Sequence, residues 1–154
     1  MSQVEDKLKE LGILLPPPAP PQGNYVPSVR TGNLVYMAGV GPRQANGELM
    51  LGKVGRELTI EQGYEAAKWC AIAMLGNLKA EIGNLDKVVR FVKLLGMVNA
   101  DPEFTNPPAV VNGSSDLLVE LYGERGKHAR SAVGMATLPN GMAVEVEAII
   151  EVSP

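Results

Sequence analysis

The C-terminal stretch, residues 128–152, constrains the fold most, because two runs of alternating side chains flank the pair Asn140-Gly141. An Asn-Gly pair between such runs is typical of a two-residue type I′ turn, so the stretch predicts a β-hairpin. In that register Thr137 faces Val144, and counting outward in twos assigns each side chain to one face of the ribbon.

The two predicted faces differ in composition. One face is apolar and carries Ser131, Val133, Met135 and Thr137 opposite Val144, Val146, Ala148, Ile150 and Val152. The other face carries Arg130, Ala132, Gly134, Ala136 and Leu138 opposite Ala143, Glu145, Glu147, Ile149 and Glu151. Small residues opposite carboxylates indicate that another surface approaches closely, so this second face is interpreted as a subunit interface.

Composition narrows the class of protein. Of the 154 residues, 45% are hydrophobic and 20% are charged, which predicts one globular domain with a proper core. The formal net charge of −3 argues against a nucleic-acid partner, because proteins that bind nucleic acid usually have a basic surface. A single cysteine, Cys70, and a single histidine, His128, exclude an intramolecular disulfide and a zinc cluster, so no metal or cofactor is expected.

No segment indicates export or membrane insertion. Residues 1–10 are mostly polar or charged, unlike the apolar part of a signal peptide. The chain has no run of about 18 apolar residues. We therefore expect a cytoplasmic protein without a membrane partner.

The chain is predicted to consist of an N-terminal segment, residues 1–24, that packs on a domain at residues 25–154. Val4, Leu8 and Leu11 form one stripe of a short helix that ends near Gly12. Residues 14–21, here called the proline-rich strap, are interpreted as an extended spacer rather than as a ligand for a proline-binding module.

The domain is predicted to begin with strands. Residues 25–38 read as a hairpin that turns at residues 31–33, and Gly39 and Gly41 interrupt the pattern. A turn-rich passage follows over residues 41–55 and holds one short strand near residues 49–51.

Two helices and a long strand come next. Thr59 and Gln62 form a capping box that begins a helix ending near Gly83, and a strand covers residues 88–98. A second helix begins after Asn106, with proline at its first position, and ends near residue 123. The order β-β-(β)-α-β-α-β-β predicts an α+β fold with a mixed sheet and both helices on one face.

Residues near the C-terminus resemble the signature of a known family. The run His-Ala-Arg130-Ser, then Leu138-Pro139, then Val-Glu145-Val-Glu147-Ala-Ile, is similar to the C-terminal signature of the RidA family, also called YjgF or reactive-intermediate deaminases and once called L-PSP endoribonucleases. The resemblance extends over about residues 25–152. It implies a chorismate-mutase-like fold, a homotrimer whose sheets line a central barrel, and pockets at the subunit clefts.

The resemblance also implies roles for particular residues. Arg130 would anchor the carboxylate of an imino acid through its bidentate fork, and Glu145 would orient or deprotonate a water. The other implied pocket residues are Tyr25, Asn112, Gly39 and Ala132. The chain departs from the family at two positions, since Ala38 stands where a serine is usual and Ala132 where a cysteine is frequent.

The predicted hairpin register leaves alternatives open at this site. Arg130 lies directly across from Glu151, so a cross-strand ion pair is an alternative to substrate binding. Glu145 lies opposite Ala136, which is six residues from Arg130 in sequence, or roughly 20 Å at about 3.3 Å per residue. Either the pocket joins Arg130 of one subunit to Glu145 of the next, or Glu145 is structural.

Three functions are compatible with these residues. The first hypothesis is hydrolytic deamination of reactive 2-imino or 2-enamino acids, such as 2-aminoacrylate, to 2-oxo acids and ammonia. The second is a non-catalytic trimer that binds a small carboxylate, which the alanines at positions 38 and 132 favour. The third, an endoribonuclease, is disfavoured because the chain has neither a basic patch nor a pair of histidines.

Overall fold

In a computed structural model that describes residues 2–154, the chain forms one five-stranded sheet with three α-helices. The strands are β1 (Ser28–Thr31), β2 (Leu34–Met37), β3 (Val88–Asn99), β4 (Ala129–Met135) and β5 (Val144–Val152). The helices are α1 (Gln3–Glu10), α2 (Ile60–Ile82) and α3 (Pro107–Tyr122). The sheet order is β1-β2-β5-β3-β4, in which β3 and β4 are parallel and the other neighbours antiparallel. This architecture confirms the predicted α+β class and its mixed sheet.

The predicted C-terminal hairpin is wrong, because β3 lies between β4 and β5 and pairs with both. Asn140 and Gly141 do form a tight turn with φ values of 58° and 71°, as an Asn-Gly pair favours. That preference is local, whereas α3 connects β3 to β4 as the crossover that parallel strands require. The long strand β3 therefore occupies the place beside β5 that the turn alone would give to β4.

The side-chain alternation predicted for β5 is confirmed, but the one predicted for β4 is inverted. The buried residues of β5 are Val144, Val146, Ala148, Ile150 and Val152. In β4, Arg130 and Ala132 are half-buried, while Ser131 and Val133 are exposed. Pairing with β3 determines which side chains of β4 face the core, since Arg130 lies beside Leu94, whose side chain is fully buried in the core. The two faces predicted for a β4–β5 ribbon are therefore wrong.

Both predicted long helices are confirmed, and they cover one face of the sheet. The Thr59 hydroxyl accepts from the Gln62 backbone N–H, and the Gln62 side chain accepts from the Thr59 backbone N–H, which completes the capping box. α2 is followed by Gly83 and α3 by Gly123, each with a positive φ. The two helices pack so closely that a β-carbon at Gly113 of α3 would collide with the backbone of α2.

The short helix α1 is also confirmed and is fixed to the domain by its N-terminus. The carboxylate of Asp86 accepts hydrogen bonds from the Ser2 hydroxyl and from the backbone N–H groups of Gln3 and Val4. Burial alone would raise the pKa of Asp86, but these hydrogen bonds outweigh it and hold that pKa below its usual value. Val4 and Leu8 are buried as predicted, but the third residue of the predicted stripe, Leu11, follows the helix and is 40% exposed.

The remaining predictions concern residues 28–55. The first hairpin is confirmed, with Thr31 paired to Leu34 across a two-residue turn. The short strand expected near residues 49–51 is absent from the described chain as a regular element, since this passage makes only single bridges. Across residues 2–154, none of the helices has the length and apolar composition needed to span a bilayer.

Candidate functional site

A pocket of about 320 Å³ opens between the proline-rich strap and the edge of the sheet where β2 ends and β5 begins. Its walls include most of the strap, residues 38–41 after β2, Ala73 and Asn77 of α2, and Glu145 of β5. The lining is mostly apolar. A concave cavity of this size with a mostly apolar lining is typical of a site for a small organic molecule.

The proline-rich strap packs as a wall of this pocket, which is more than the predicted spacer would do. A β-carbon added at Gly76 of α2 would lie 2.5 Å from the Pro16 carbonyl oxygen, so a side chain at this position would displace the strap. Ala73, one turn earlier on α2, presents another small side chain to the pocket. These small residues at helical spacing were the signal in the sequence that another segment packs on this part of α2.

Glu145 directs its carboxyl group toward Gly39. A β-carbon at Gly39 would lie 3.0 Å from Glu145 Cδ and 3.2 Å from Oε1, so a glycine at this position makes room for the carboxyl group. Burial, and then the charge of Glu147, raise the pKa of Glu145 above its usual value. A carboxylate with a raised pKa is a stronger base and accepts a proton from water more readily.

Tyr25 lies in the same pocket. Its phenol oxygen accepts a hydrogen bond from the backbone N–H of Gln22 at 3.3 Å, which holds the ring beside the strap. Ala38 also lines the pocket and presents a methyl group where the family resemblance implies a serine hydroxyl. The structure therefore brings together three of the predicted site residues, Tyr25, Gly39 and Glu145.

Arg130 lies elsewhere, beside α3. Its Nη1 donates to Ser115 Oγ at 2.9 Å and its Nη2 donates to the Pro108 carbonyl at 3.3 Å. The predicted alternative, an ion pair with Glu151, is wrong, because Glu151 pairs with Arg90 at 2.7 Å. The ion pairs found within residues 2–154 do not include Arg130. A half-buried guanidinium held by neutral groups keeps its charge available for an anion.

Asn112 and Ala132 accompany Arg130 rather than Glu145. Asn112 is exposed on α3 and lies at helical spacing between Pro108 and Ser115, the two residues that hold Arg130. Ala132 lies two residues after Arg130 on β4, so it shares the same face of the strand, and it packs against the core.

Within one chain the predicted site residues thus form two separate groups. Arg130 and Glu145 lie on β4 and β5, and β3 runs between these strands. Arg130 is not part of the lining of the pocket that contains Glu145. The separation inferred from the hairpin register rested on a wrong strand pairing, but the observed topology also keeps these two residues apart.

Four polar residues of the pocket were not among the predicted site residues, namely Gln22, Arg43, Asn77 and Asn140. Arg43 lies in the lining, and its Nη1 donates to the Gly47 carbonyl at 2.7 Å. Asn77 lies on α2 one turn after Ala73. The periodicity of α2 indicated only its apolar stripe, and the passage around Arg43 has no repeating pattern. Nothing in the sequence pattern therefore pointed to Asn77 or Arg43. In the described part of the chain, no three His, Cys, Asp or Glu side chains cluster as a metal site would require.

A family profile matches nearly the whole chain. The family described as "YjgF/chorismate mutase-like, putative endoribonuclease" matches residues 5–150. The match begins within α1, so it includes the proline-rich strap as well as both groups of predicted site residues.

Individual relatives are similar over nearly their whole length. Protein TCP17 of Trypanosoma cruzi is 43% identical over 152 residues, which covers 98% of this chain and 95% of that protein. The crystal structure of a protein of unknown function from Agrobacterium tumefaciens has a TM-score of 0.91 and 42% identity, and the match covers 98% of this chain and 93% of that one. A 2-iminobutanoate/2-iminopropanoate deaminase of Dermatophagoides farinae is 29% identical over 140 residues, covering 90% and 94% of the two chains.

Proposed function

Since this chain belongs to the YjgF/chorismate mutase-like family, we propose that it hydrolyses reactive 2-imino acids, and their 2-enamino tautomers, to 2-oxo acids and ammonia. The observation that carries the proposal is the carboxyl group of Glu145, which lies in an apolar pocket against Gly39 and has a raised pKa. Similarity to a 2-iminobutanoate/2-iminopropanoate deaminase supports the choice of substrate class.

In the proposed reaction, water adds to the C=N bond of the substrate. Glu145 accepts a proton from the water as the water oxygen bonds to the imine carbon, and it passes that proton to the nitrogen. The new hydroxyl group then loses its proton, which Glu145 also transfers to the nitrogen as the C–N bond breaks. Ammonia leaves, and the oxygen remains on carbon as the 2-oxo group.

The substrate carboxylate needs an anchor, and Arg130 is the proposed one. We propose that Arg130, Asn112 and Ala132 of one subunit complete a cleft with Tyr25, Gly39 and Glu145 of a neighbouring subunit. The separation of the two groups within one chain supports this arrangement. The hydrogen bonds of Arg130 to neutral groups support it as well, because a charge-assisted bidentate contact with a carboxylate remains possible.

The sheet face opposite the helices supports a homotrimer. Tyr36 of β2 and Val133 of β4 expose 43% and 38% of their surface there, and Leu95 and Ile149 between them are only half-buried. Exposed apolar side chains grouped on one face, here beside the charged Lys93 and Glu147, are typical of a surface covered by a partner. In the proposed trimer, the three sheets would turn these faces toward a central barrel.

We expect light scattering to give a mass about three times the 16.4 kDa of one chain. Val133→Asp should dissociate this oligomer, because it places a charge in the proposed apolar contact. Ile60→Asp is the matched control, because Ile60 is likewise 38% exposed but lies at the start of α2, on the helix side of the sheet. A monomeric wild-type protein would contradict the trimer and remove the proposed cleft.

The direct test of the function is release of 2-oxo acid from freshly generated 2-iminobutanoate or 2-aminoacrylate. We expect the protein to accelerate this release above the rate in free solution. If the protein binds 2-oxobutanoate but does not accelerate the release of 2-oxo acid, the result would instead support the second candidate, a non-catalytic carboxylate-binding trimer. Ala38 in the pocket favours that candidate, because it provides no hydroxyl group to a substrate.

Gly39→Ala should reduce turnover about tenfold or more with little change in stability. The added β-carbon would require the Glu145 carboxyl group to move by a few tenths of an ångström, and misplacement of a catalytic group is costly even at this scale. Because the displaced atoms end a flexible side chain, the fold should tolerate the change. Gly134→Ala is the control, since its β-carbon would meet Ala100 at an ordinary 3.4 Å. Unchanged turnover in Gly39→Ala would contradict the role of Glu145.

A further inference from the structure

The single histidine of the chain is linked to Arg130 by a chain of hydrogen bonds. Arg130 Nη1 lies 2.9 Å from Ser115 Oγ, and Ser115 Oγ lies 2.9 Å from His128 Nε2. The other ring nitrogen, His128 Nδ1, lies 2.7 Å from the Gly126 carbonyl oxygen. The chain of bonds therefore runs from the backbone after α3, through the imidazole and the serine hydroxyl, to the guanidinium.

The chemistry of these groups fixes which atom donates in each bond. A carbonyl oxygen only accepts, so His128 Nδ1 carries a proton and donates to Gly126. A guanidinium only donates, so the Ser115 oxygen accepts from Arg130. The remaining hydroxyl proton of Ser115 then points at His128 Nε2, which accepts it as the unprotonated nitrogen of a neutral imidazole.

The surroundings of His128 favour the neutral ring that this arrangement needs. Burial lowers the pKa of His128, the hydrogen bond to Gly126 raises it, and the charge of Arg130 lowers it again, with a lowered pKa as the result. A protonated ring would donate from Nε2 and would leave the Ser115 hydroxyl proton without its acceptor. The serine is therefore held in one orientation, with a lone pair directed at Arg130.

We propose that Ser115 and His128 are positioning residues, which hold the Arg130 guanidinium in the orientation that receives the substrate carboxylate. This proposal rests on the proposed function, because it assigns Arg130 as the carboxylate anchor. An arginine side chain otherwise loses considerable rotamer freedom when it binds an anion, and fixing it in advance reduces that loss. The bonds to Ser115 and Pro108 use only part of the guanidinium, so donors remain for a bidentate carboxylate.

A purely structural role would be to tie β4 to α3, and the two roles predict different measurements. If Ser115 only ties the elements together, its loss lowers stability and leaves the affinity for ligand unchanged. If it positions Arg130, its loss weakens the binding of carboxylates and raises KM while kcat at saturating substrate changes little.

The test measures the Kd of 2-oxobutanoate, the product of 2-iminobutanoate hydrolysis, by calorimetry. We expect Ser115→Ala to raise Kd about tenfold, because a hydrogen bond to a charged group is lost. Ser115→Thr keeps the hydroxyl and should restore most of the affinity. His128→Gln keeps an acceptor near the position of Nε2 and should bind better than His128→Leu. Ser153→Ala is the matched control, since Ser153 is hydrogen-bonded through its backbone far from Arg130.

A second measurement uses the unaltered protein and does not depend on the folding of any variant. Because His128 is the single histidine, its two ring nitrogens are resolved in a ¹⁵N NMR spectrum without assignment of other residues. We expect the proton on Nδ1 at neutral pH, and we expect 2-oxobutanoate to shift the Nε2 signal in wild type but not in Arg130→Ala.

The possible outcomes distinguish failure of the positioning role from failure of the proposed function. If wild type binds 2-oxobutanoate while Ser115→Ala has the same Kd, or the Nε2 signal does not respond to ligand, the positioning role is overturned and the proposed function stands. If wild type neither binds 2-oxobutanoate nor accelerates imine hydrolysis, the proposed function falls and takes the positioning role with it.

Discussion

Glu145→Gln is expected to slow hydrolysis of a 2-imino acid by a factor of about 10² to 10⁴, which is typical for the loss of a general base. Glutamine is nearly isosteric and fits beside Gly39, so the fold and the affinity for 2-oxobutanoate should be retained. The measurement is 2-oxo acid release over a range of pH. The wild-type rate should fall as pH drops through the raised pKa of Glu145, and the residual rate of the variant should lack this dependence.

The same substitution should stabilise the protein at neutral pH. Because the folded-state pKa of Glu145 is raised, the folded protein binds this proton more tightly than the unfolded chain does. The stability contributed by this group is complete below the unfolded pKa and is lost as pH rises through the folded pKa. Glutamine carries no charge to desolvate, so the variant should have a higher Tm than wild type at neutral pH. At a pH below the pKa of ordinary glutamates this advantage should disappear.

Glu103→Gln is the matched control for both measurements, because Glu103 is exposed on the surface. If Glu145→Gln and wild type release 2-oxo acid equally, and no faster than free solution, the enzymatic proposal is wrong and the cleft is a binding site.

Restoring serine at Ala38 and cysteine at Ala132 would then be informative. Gain of activity in that double variant would identify a deaminase that has lost its chemistry. No gain would mean that the resemblance reports the fold alone.

Arg130→Ala is expected to weaken the binding of 2-oxobutanoate by a factor of about 10 to 100, because a charge-assisted bidentate contact is lost. Arg130→Lys should recover little of that affinity, since an ammonium group lacks the planar fork. Calorimetry on each variant measures the effect. Arg90→Ala is the control, because it removes an exposed arginine whose partner is Glu151. Wild-type affinity in Arg130→Ala would mean that the guanidinium only ties β4 to α3.

Mixing the Arg130→Ala and Glu145→Gln variants tests whether Arg130 and Glu145 act across a subunit boundary. In trimers reassembled from equal amounts of Arg130→Ala and Glu145→Gln chains, about one cleft in four combines an intact Arg130 with an intact Glu145 of the neighbour. At a substrate concentration well below KM, where each variant alone is strongly impaired, we therefore expect about a quarter of the wild-type activity to return. A site within one chain would give no recovery, because every chain then lacks one of the two groups.

Sequence reasoning succeeded where the determinants of structure are local. The capping box at Thr59, the glycines after α2 and α3, and the buried alternation of β5 depend on residues a few positions apart. Each was predicted correctly because capping and side-chain period act within one element.

The errors arose where a distant segment competes with a local preference. The turn at Asn140-Gly141 has the expected geometry, yet β3, from another part of the chain, inserts between the strands that the turn would have joined. The pairing of Arg130 with Glu151 failed for the same reason. The packing of the strap as a wall of the pocket was missed because a run of prolines has no period from which a packed face can be inferred.

The resemblance predicted candidate residues in both groups, but it did not predict what surrounds them. Arg43 and Asn77 in the pocket lie outside the quoted signature, and the bonds of Ser115 and His128 to Arg130 depend on how α3 packs beside β4. Such contacts between elements become visible only when the topology is known.

The strap has a consequence for how this protein changes over evolutionary time. It supplies an outer wall of the pocket, but it belongs to no strand or helix, and it is tethered on its N-terminal side by α1 and Asp86. Substitutions along it therefore alter the shape of the cavity while the sheet, the two long helices and Glu145 remain as they are. Changes in a few prolines are therefore expected to alter which molecules fit the cavity without altering the elements that form the core.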